Sequence, residues 1–120
     1  MNSRAKVWAK GRTARRKPGT MNKTEERYSA VLADRQAAGE IIAWWYERWT
    51  FKLADDTRYT PDFMVQLPDG TIEAHEVKGF LEDHARVKIK VLPELFPVRC
   101  VVVRERAKKH GGGWEMQAVE

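Results

Sequence analysis

Tyr59-Thr60-Pro61-Asp62-Phe63-Met64-Val65 and, beyond a turn at Pro68-Asp69-Gly70, His75-Glu76-Val77-Lys78-Gly79 decide how this chain is read. The first run is apolar around one acid. Pro-Asp-Gly reverses the chain, so the two runs are expected to be antiparallel neighbours. Strand side chains alternate between faces, so Glu76 and Lys78 project from one side and Val77 anchors on the other. Thirteen residues lie between Asp62 and Glu76, and folding back lets their carboxylates converge with a lysine beside them.

Two carboxylates and a lysine suit metal-assisted hydrolysis of a phosphodiester. That reaction needs a nucleophile made from water at neutral pH and compensation for charge building on phosphoryl oxygens, and a divalent metal supplies both. Hard cations choose carboxylate and carbonyl oxygens. Asp62, Glu76 and the backbone carbonyl of Val77 are the donors this stretch offers. Lys78 can orient or deprotonate the attacking water, or neutralise the developing charge. The same spacing also fits an exposed hairpin with an incidental acid and a cross-strand ion pair.

Pro61-Asp62 followed by Glu76-Val77-Lys78 resembles the PD-(D/E)xK nuclease signature. The wider series Asn22-Lys23-Thr24-Glu25, Tyr59 to Phe63, Glu76 to Phe80 and a basic helix ending near Pro93-Glu94-Leu95 is similar to the bacteriophage endonuclease I group, the Holliday-junction-resolving enzymes, over about residues 21 to 104. The resemblance implies a restriction-endonuclease-like core and a magnesium-dependent endodeoxyribonuclease in which manganese substitutes. It implies branched DNA as substrate, a homodimer, and the cytoplasm of a bacterial or phage-infected cell. Symmetric incision of a four-way junction needs two active sites, and one chain of this size holds one, which also points to a dimer. Two other functions stay open: a less structure-selective nicking nuclease, and a nucleic-acid-binding module that has lost catalysis on the same scaffold.

A third acid comes from the first helix. Asn22 can cap it, and Glu25 three residues later completes the spacing of a capping box. At 100° per residue, Glu25 lies roughly 70° from the apolar face of Tyr28, Val31 and Leu32, whereas Glu26 lies roughly 170° away. The family pattern also carries a metal-site glutamate on this helix. Glu25 is therefore expected as a metal ligand in preference to a mere cap, the two roles being hard to combine in one side chain.

The 120 residues, 42% of them hydrophobic, suit one domain with a modest core. Residues 1–20 hold seven Lys/Arg and no acid against a net charge of +5 for the whole chain, so residues 21–120 carry −2. This predicts a basic, flexible arm on residues 1–20 and a nuclease-like domain on 21–120. Arg12, Arg15, Arg16 and Lys17 would follow a phosphate backbone, and Trp8 could stack on a base or sit idle in a solvated tail. Lone Cys100 lies in a Val-rich run and reads as a buried strand thiol in a reducing compartment. No apolar run reaches the roughly 20 residues that span a bilayer, and no secretory segment is evident, so no membrane partner is expected.

Along the body the signals run helix from Asn22 to Ala38 with Gly39 as stop, then one strand from Ile41 to Leu53 with odd positions facing the core. Glu47 breaks that parity. It could be an extra or outer metal group, but we read it as a bulge or strand end that returns to solvent. Ala54 to Arg58 reads as a polar connection. A second helix carries Arg86, Lys88 and Lys90, all candidate DNA contacts, among apolar residues until Pro93 kinks or ends it, with Arg86 and Lys90 sharing a face suited to phosphate. Val98 to Val103 reads as a strand buried on both sides, and Trp114 to Val119 as an edge strand or dimer element. The predicted fold is an α/β arrangement, a mixed sheet flanked by helices in the order α-β-β-β-α-β. His75, His84 and His110 lack the spacing of a zinc site and receive no catalytic role.

Overall fold

The computed structural model describes residues 19–77 and 83–119. Lys78, the expected arm contacts Arg12, Arg15, Arg16 and Lys17, and Trp8 lie outside them. Helix α1 (Lys23–Ala37) begins at a full capping box, where the Asn22 side chain accepts from the Glu25 amide and the Glu25 carboxylate accepts from the Asn22 amide. It stops after Ala38, where Gly39 takes a left-handed φ of 81°, as the sequence predicts.

Among the described residues seven strands follow in chain order: β1 (Ala43–Tyr46), β2 (Phe51–Ala54), β3 (Thr57–Tyr59), β4 (Phe63–Gln66), β5 (Ile72–Val77), then after helix α2 (Asp83–Leu95) β6 (Arg99–Glu105) and β7 (Trp114–Ala118). Five form one mixed sheet in the order β1-β4-β5-β6-β7, and β2 and β3 make a separate ribbon. The architecture is α+β. The β4–β5 pair is antiparallel through the Pro68-Asp69-Gly70 turn, where Gly70 has φ 92° and its amide returns to the Leu67 carbonyl. The β5–β6 pair is parallel with α2 in its crossover, as parallel neighbours require.

The expected single strand from Ile41 to Leu53 is two strands in different sheets. After Tyr46 the chain leaves the ladder at Glu47, whose φ of 45° is left-handed, and it resumes at Phe51. The expected polar connection is also revised: Thr57–Tyr59 is the return strand of a ribbon that opposes Phe51 to Tyr59. The order is therefore α-β-β-β-β-β-α-β-β. Short strands around tight turns carry too few alternating positions to be separated by pattern alone.

Odd-position burial fails along this stretch because both faces of the sheet are covered. Tyr28 and Leu32 of α1 pack with Phe63, Val65, Val77, Val101 and Val103 on one face, against which Trp44 and Tyr46 also rest. Ile89 and Leu92 of α2 pack with Met64, Ala74, Cys100, Val102 and Tyr59 on the other, joined by Trp45, Phe51 and Leu53. Strand β6 is buried from Cys100 to Val103, as its unbroken apolar run predicts. Pro93 lies inside α2 without ending it, since the helix runs on to Leu95. In the last turn a missing amide costs one bond that the crossover can forgo. Trp114–Ala118 pairs with β6 alone, at the sheet's edge.

Candidate metal centre

Carboxylate oxygens of Glu25, Glu47 and Asp62 lie within 4.8 Å of one another. Each arrives by a different route. Glu25 stands on the first turn of α1, Glu47 follows the last residue of β1, and Asp62 precedes β4 by one residue. Antiparallel pairing of β1 with β4 sets Tyr46 against Phe63, and one rung further the Glu47 amide donates to the Asp62 carbonyl at 2.9 Å. The capping box then swings Glu25 inward over the same end of the sheet.

Glu25 is 2% exposed and Asp62 is 7% exposed. Buried carboxylates are costly unless they are hydrogen-bonded or face a cation. Donors are supplied. The Glu25 Oε1 accepts from the Asn22 amide at 2.9 Å and from the Tyr46 hydroxyl at 2.9 Å. Asp62 Oδ2 accepts from the Val77 amide at 2.9 Å, which ties the end of β5 to the start of β4. Glu47 Oε1 accepts from the Gly19 amide at 3.2 Å. Glu25 thus closes the cap and also faces inward, because the helix start is itself at the site.

Glu47 is the site residue that sequence reasoning misplaced. It does end a strand, but its side chain turns toward Glu25 and Asp62 and is only partly exposed. The one signal was its break in parity within an aromatic run. A non-glycine residue at positive φ carries strain of about 1–3 kcal/mol, here located where three negative charges meet.

Glu76 is 6% exposed and does not join the three-carboxylate group. The ladder pairs Phe63 with His75, so Asp62 and Glu76 fall one rung beyond. Yet Glu76 shares the α2 face with Ala74 and accepts a short hydrogen bond from the Tyr59 hydroxyl. That phenol is pushed well above the ordinary tyrosine range, first by burial and then by the neighbouring charges of Glu76 and Asp62. Of Val77, the described contact at the site is its amide; its side chain is in the α1-side core.

His75, left without a catalytic role, is buried in the α1-side layer. One ring nitrogen, Nε2, lies 2.9 Å from Glu73 Oε1, and Nδ1 lies 2.6 Å from the Tyr28 hydroxyl. With Glu73 ionised it can only accept, so Nε2–H donates to it. Cys100 is a buried free thiol pushed up to about 12, by burial and then by the Glu76 charge, so it is no nucleophile at neutral pH.

Arg86 and Lys90 line one cleft beside β6 and β7. Lys88, expected to join them, is not part of that lining. Two residues along a helix are about 200° apart, and Lys88 is more buried, its ammonium pKa lowered by desolvation.

Protein-family models, curated proteins and solved structures were compared with this chain, and none matches. Among the described residues no helix is long and apolar enough to cross a membrane.

Proposed function

We propose that this chain is a metal-dependent DNA endonuclease on a restriction-endonuclease-like core, of the kind its PD-(D/E)xK resemblance implies. The observation that carries the reading is the convergence of Glu25, Glu47 and Asp62 within 4.8 Å, two of them buried. Three carboxylates so close repel one another without a cation. An all-oxygen donor set fits magnesium, or manganese in its place, better than zinc.

When bound, the metal would lower the pKa of a coordinated water and offset charge on the phosphoryl oxygens. The chain's own residues do the rest. Glu25, Glu47 and Asp62 hold the ion, and the Val77 and Asn22 amides with the Tyr46 hydroxyl fix the ligand oxygens in place. Glu76, oriented by Tyr59, stands on the adjoining face. Glu76 and the Val77 carbonyl complete the ligand set that the resemblance implies. Lys78, next in sequence to Val77, orients or deprotonates the attacking water or neutralises charge on the phosphate. The proposed substrate is branched DNA cut by a homodimer in the bacterial or phage-infected cytoplasm, with the basic arm following the backbone.

The test compares wild type, Asp62→Ala and Lys78→Ala on four-way, flap, nicked and linear DNA, with magnesium and with chelator. Metal-dependent cleavage by wild type that both variants lose supports the site. Binding without cleavage under every condition would leave a binding module. Equal cleavage of all four substrates would remove the junction preference and keep the nuclease.

A further inference from the structure

A cleft of about 230 Å³ opens between α2 and the β6–β7 side of the sheet. Its floor includes buried Ile89 and Val102, and around it stand Arg86, Lys90, Arg104 and Gln117. No acid lines it. Glu115 faces Arg104 across the β6–β7 ladder, but neither Arg104 nor Lys90 forms an ion pair among the described residues. Lys90 and Arg104 therefore stand as two cations beside an apolar floor, and an anion that enters pairs with both.

The cleft also lies in line with the acids. Glu76 is in register with Val102, and Val102 with Gln117, so these three share one row across the α2 face of the sheet. Strands are about 4.8 Å apart, which sets Gln117 about 10 Å from Glu76.

We propose that this cleft is a second phosphate site, seating a backbone phosphate a short way along the strand from the scissile one. The inference rests on the nuclease reading for its substrate. The Arg104 guanidinium offers forked donors to phosphate oxygens, Lys90 adds a point charge, and the Gln117 amide adds a neutral donor. A backbone phosphate held here fixes which bond reaches the acids without reading any base.

The experiment measures affinity of the full chain for four-way and duplex DNA in chelator, across salt, for wild type, Gln117→Ala, Arg104→Gln and the Lys90→Gln/Arg104→Gln double variant. Cleavage by wild type in magnesium is assayed alongside. We expect the double variant to bind about tenfold more weakly, with its log–log salt slope reduced by about 1. The two single variants fall between. Affinity and slope unchanged in the double variant, while wild type binds and cuts, would overturn the cleft and spare the nuclease. The expected losses in a protein that never cuts would keep the cleft as a nucleic-acid site and remove the nuclease. Wild type that does not bind DNA would overturn both.

Discussion

The Tyr46 hydroxyl donates to Glu25 Oε1 across 2.9 Å, joining the end of β1 to the first turn of α1. The same oxygen takes the Asn22 amide. One atom therefore closes a helix cap, locks a strand end to a helix, and holds an acid in the three-carboxylate group. Stability and site geometry are coupled through it.

Asn22→Ala should lower folding stability by about 1 kcal/mol, the ordinary worth of an N-cap. It should also loosen Glu25. Urea denaturation gives the first effect, and manganese binding by calorimetry the second. Unchanged manganese affinity in a destabilised variant would separate the cap from the site.

Tyr46→Phe removes one donor from Glu25 Oε1, which keeps the Asn22 amide. Removing an outer hydrogen bond to a metal ligand typically costs 10–100-fold in metal affinity or activity, and about tenfold in manganese affinity is expected here. The comparison with Tyr59→Phe, which removes the donor to Glu76, shows which acid the ion depends on. A larger loss in the Tyr59 variant would move the metal toward Glu76.

Glu47→Gln should raise the stability of the metal-free protein, because one of three adjoining negative charges is gone. It should also abolish stabilisation by metal. Ligand at 100 times its Kd stabilises a native protein by about 2.7 kcal/mol, so wild type should melt higher in saturating manganese than in chelator. A Glu47→Gln protein with the full manganese shift would exclude Glu47 from the ligand set.

The Tyr28 and Tyr59 phenols are both pushed up, burial being the largest cause in each. Groups raised in the folded state add stability below their unfolded pKa and lose it as pH rises. Above about pH 10, where unfolded tyrosines ionise, each should remove about 1.4 kcal/mol per pH unit. Denaturation midpoints measured from pH 8 to 11.5 should fall, and less steeply in Tyr59→Phe. Equal slopes would show that Tyr59 ionises freely in the folded protein.

Glu73 is held below the usual carboxylate range, first by its hydrogen bond to His75 and also by the charges of His75, Arg99 and Arg35. A lowered acid adds stability above its unfolded pKa and loses it as pH falls through the folded value. Glu73→Gln should therefore weaken the protein at pH 7 and narrow the gap to wild type below about pH 4. Paired urea titrations at pH 7 and pH 3.5 check the sign. A gap that widens toward acid would contradict it.

Much of this was legible before folding. The helix start at Asn22, the Gly39 stop, the Pro68-Asp69-Gly70 reversal and the buried β6 run are local, because caps, turns and unbroken apolar strands are fixed by neighbours a few residues apart. The inward position of Glu25 followed from helical spacing, and its burial agrees with that. Glu47 did not follow. Its left-handed backbone and its meeting with Asp62 depend on β1 pairing with β4, partners separated by the whole β2–β3 ribbon.

The chain's local pattern determined which acids sit on a helix start and at strand ends, and which runs are apolar enough for a core. Tertiary structure decided that Glu47 rather than Glu76 stands with Glu25 and Asp62, and that Arg86, Lys90 and Arg104 surround one cleft. Periodicity assigns a side chain to a face of its own element. Which faces meet is set by strand order and by helices packed on both sides of the sheet, where burial of the whole apolar surface selects a single arrangement.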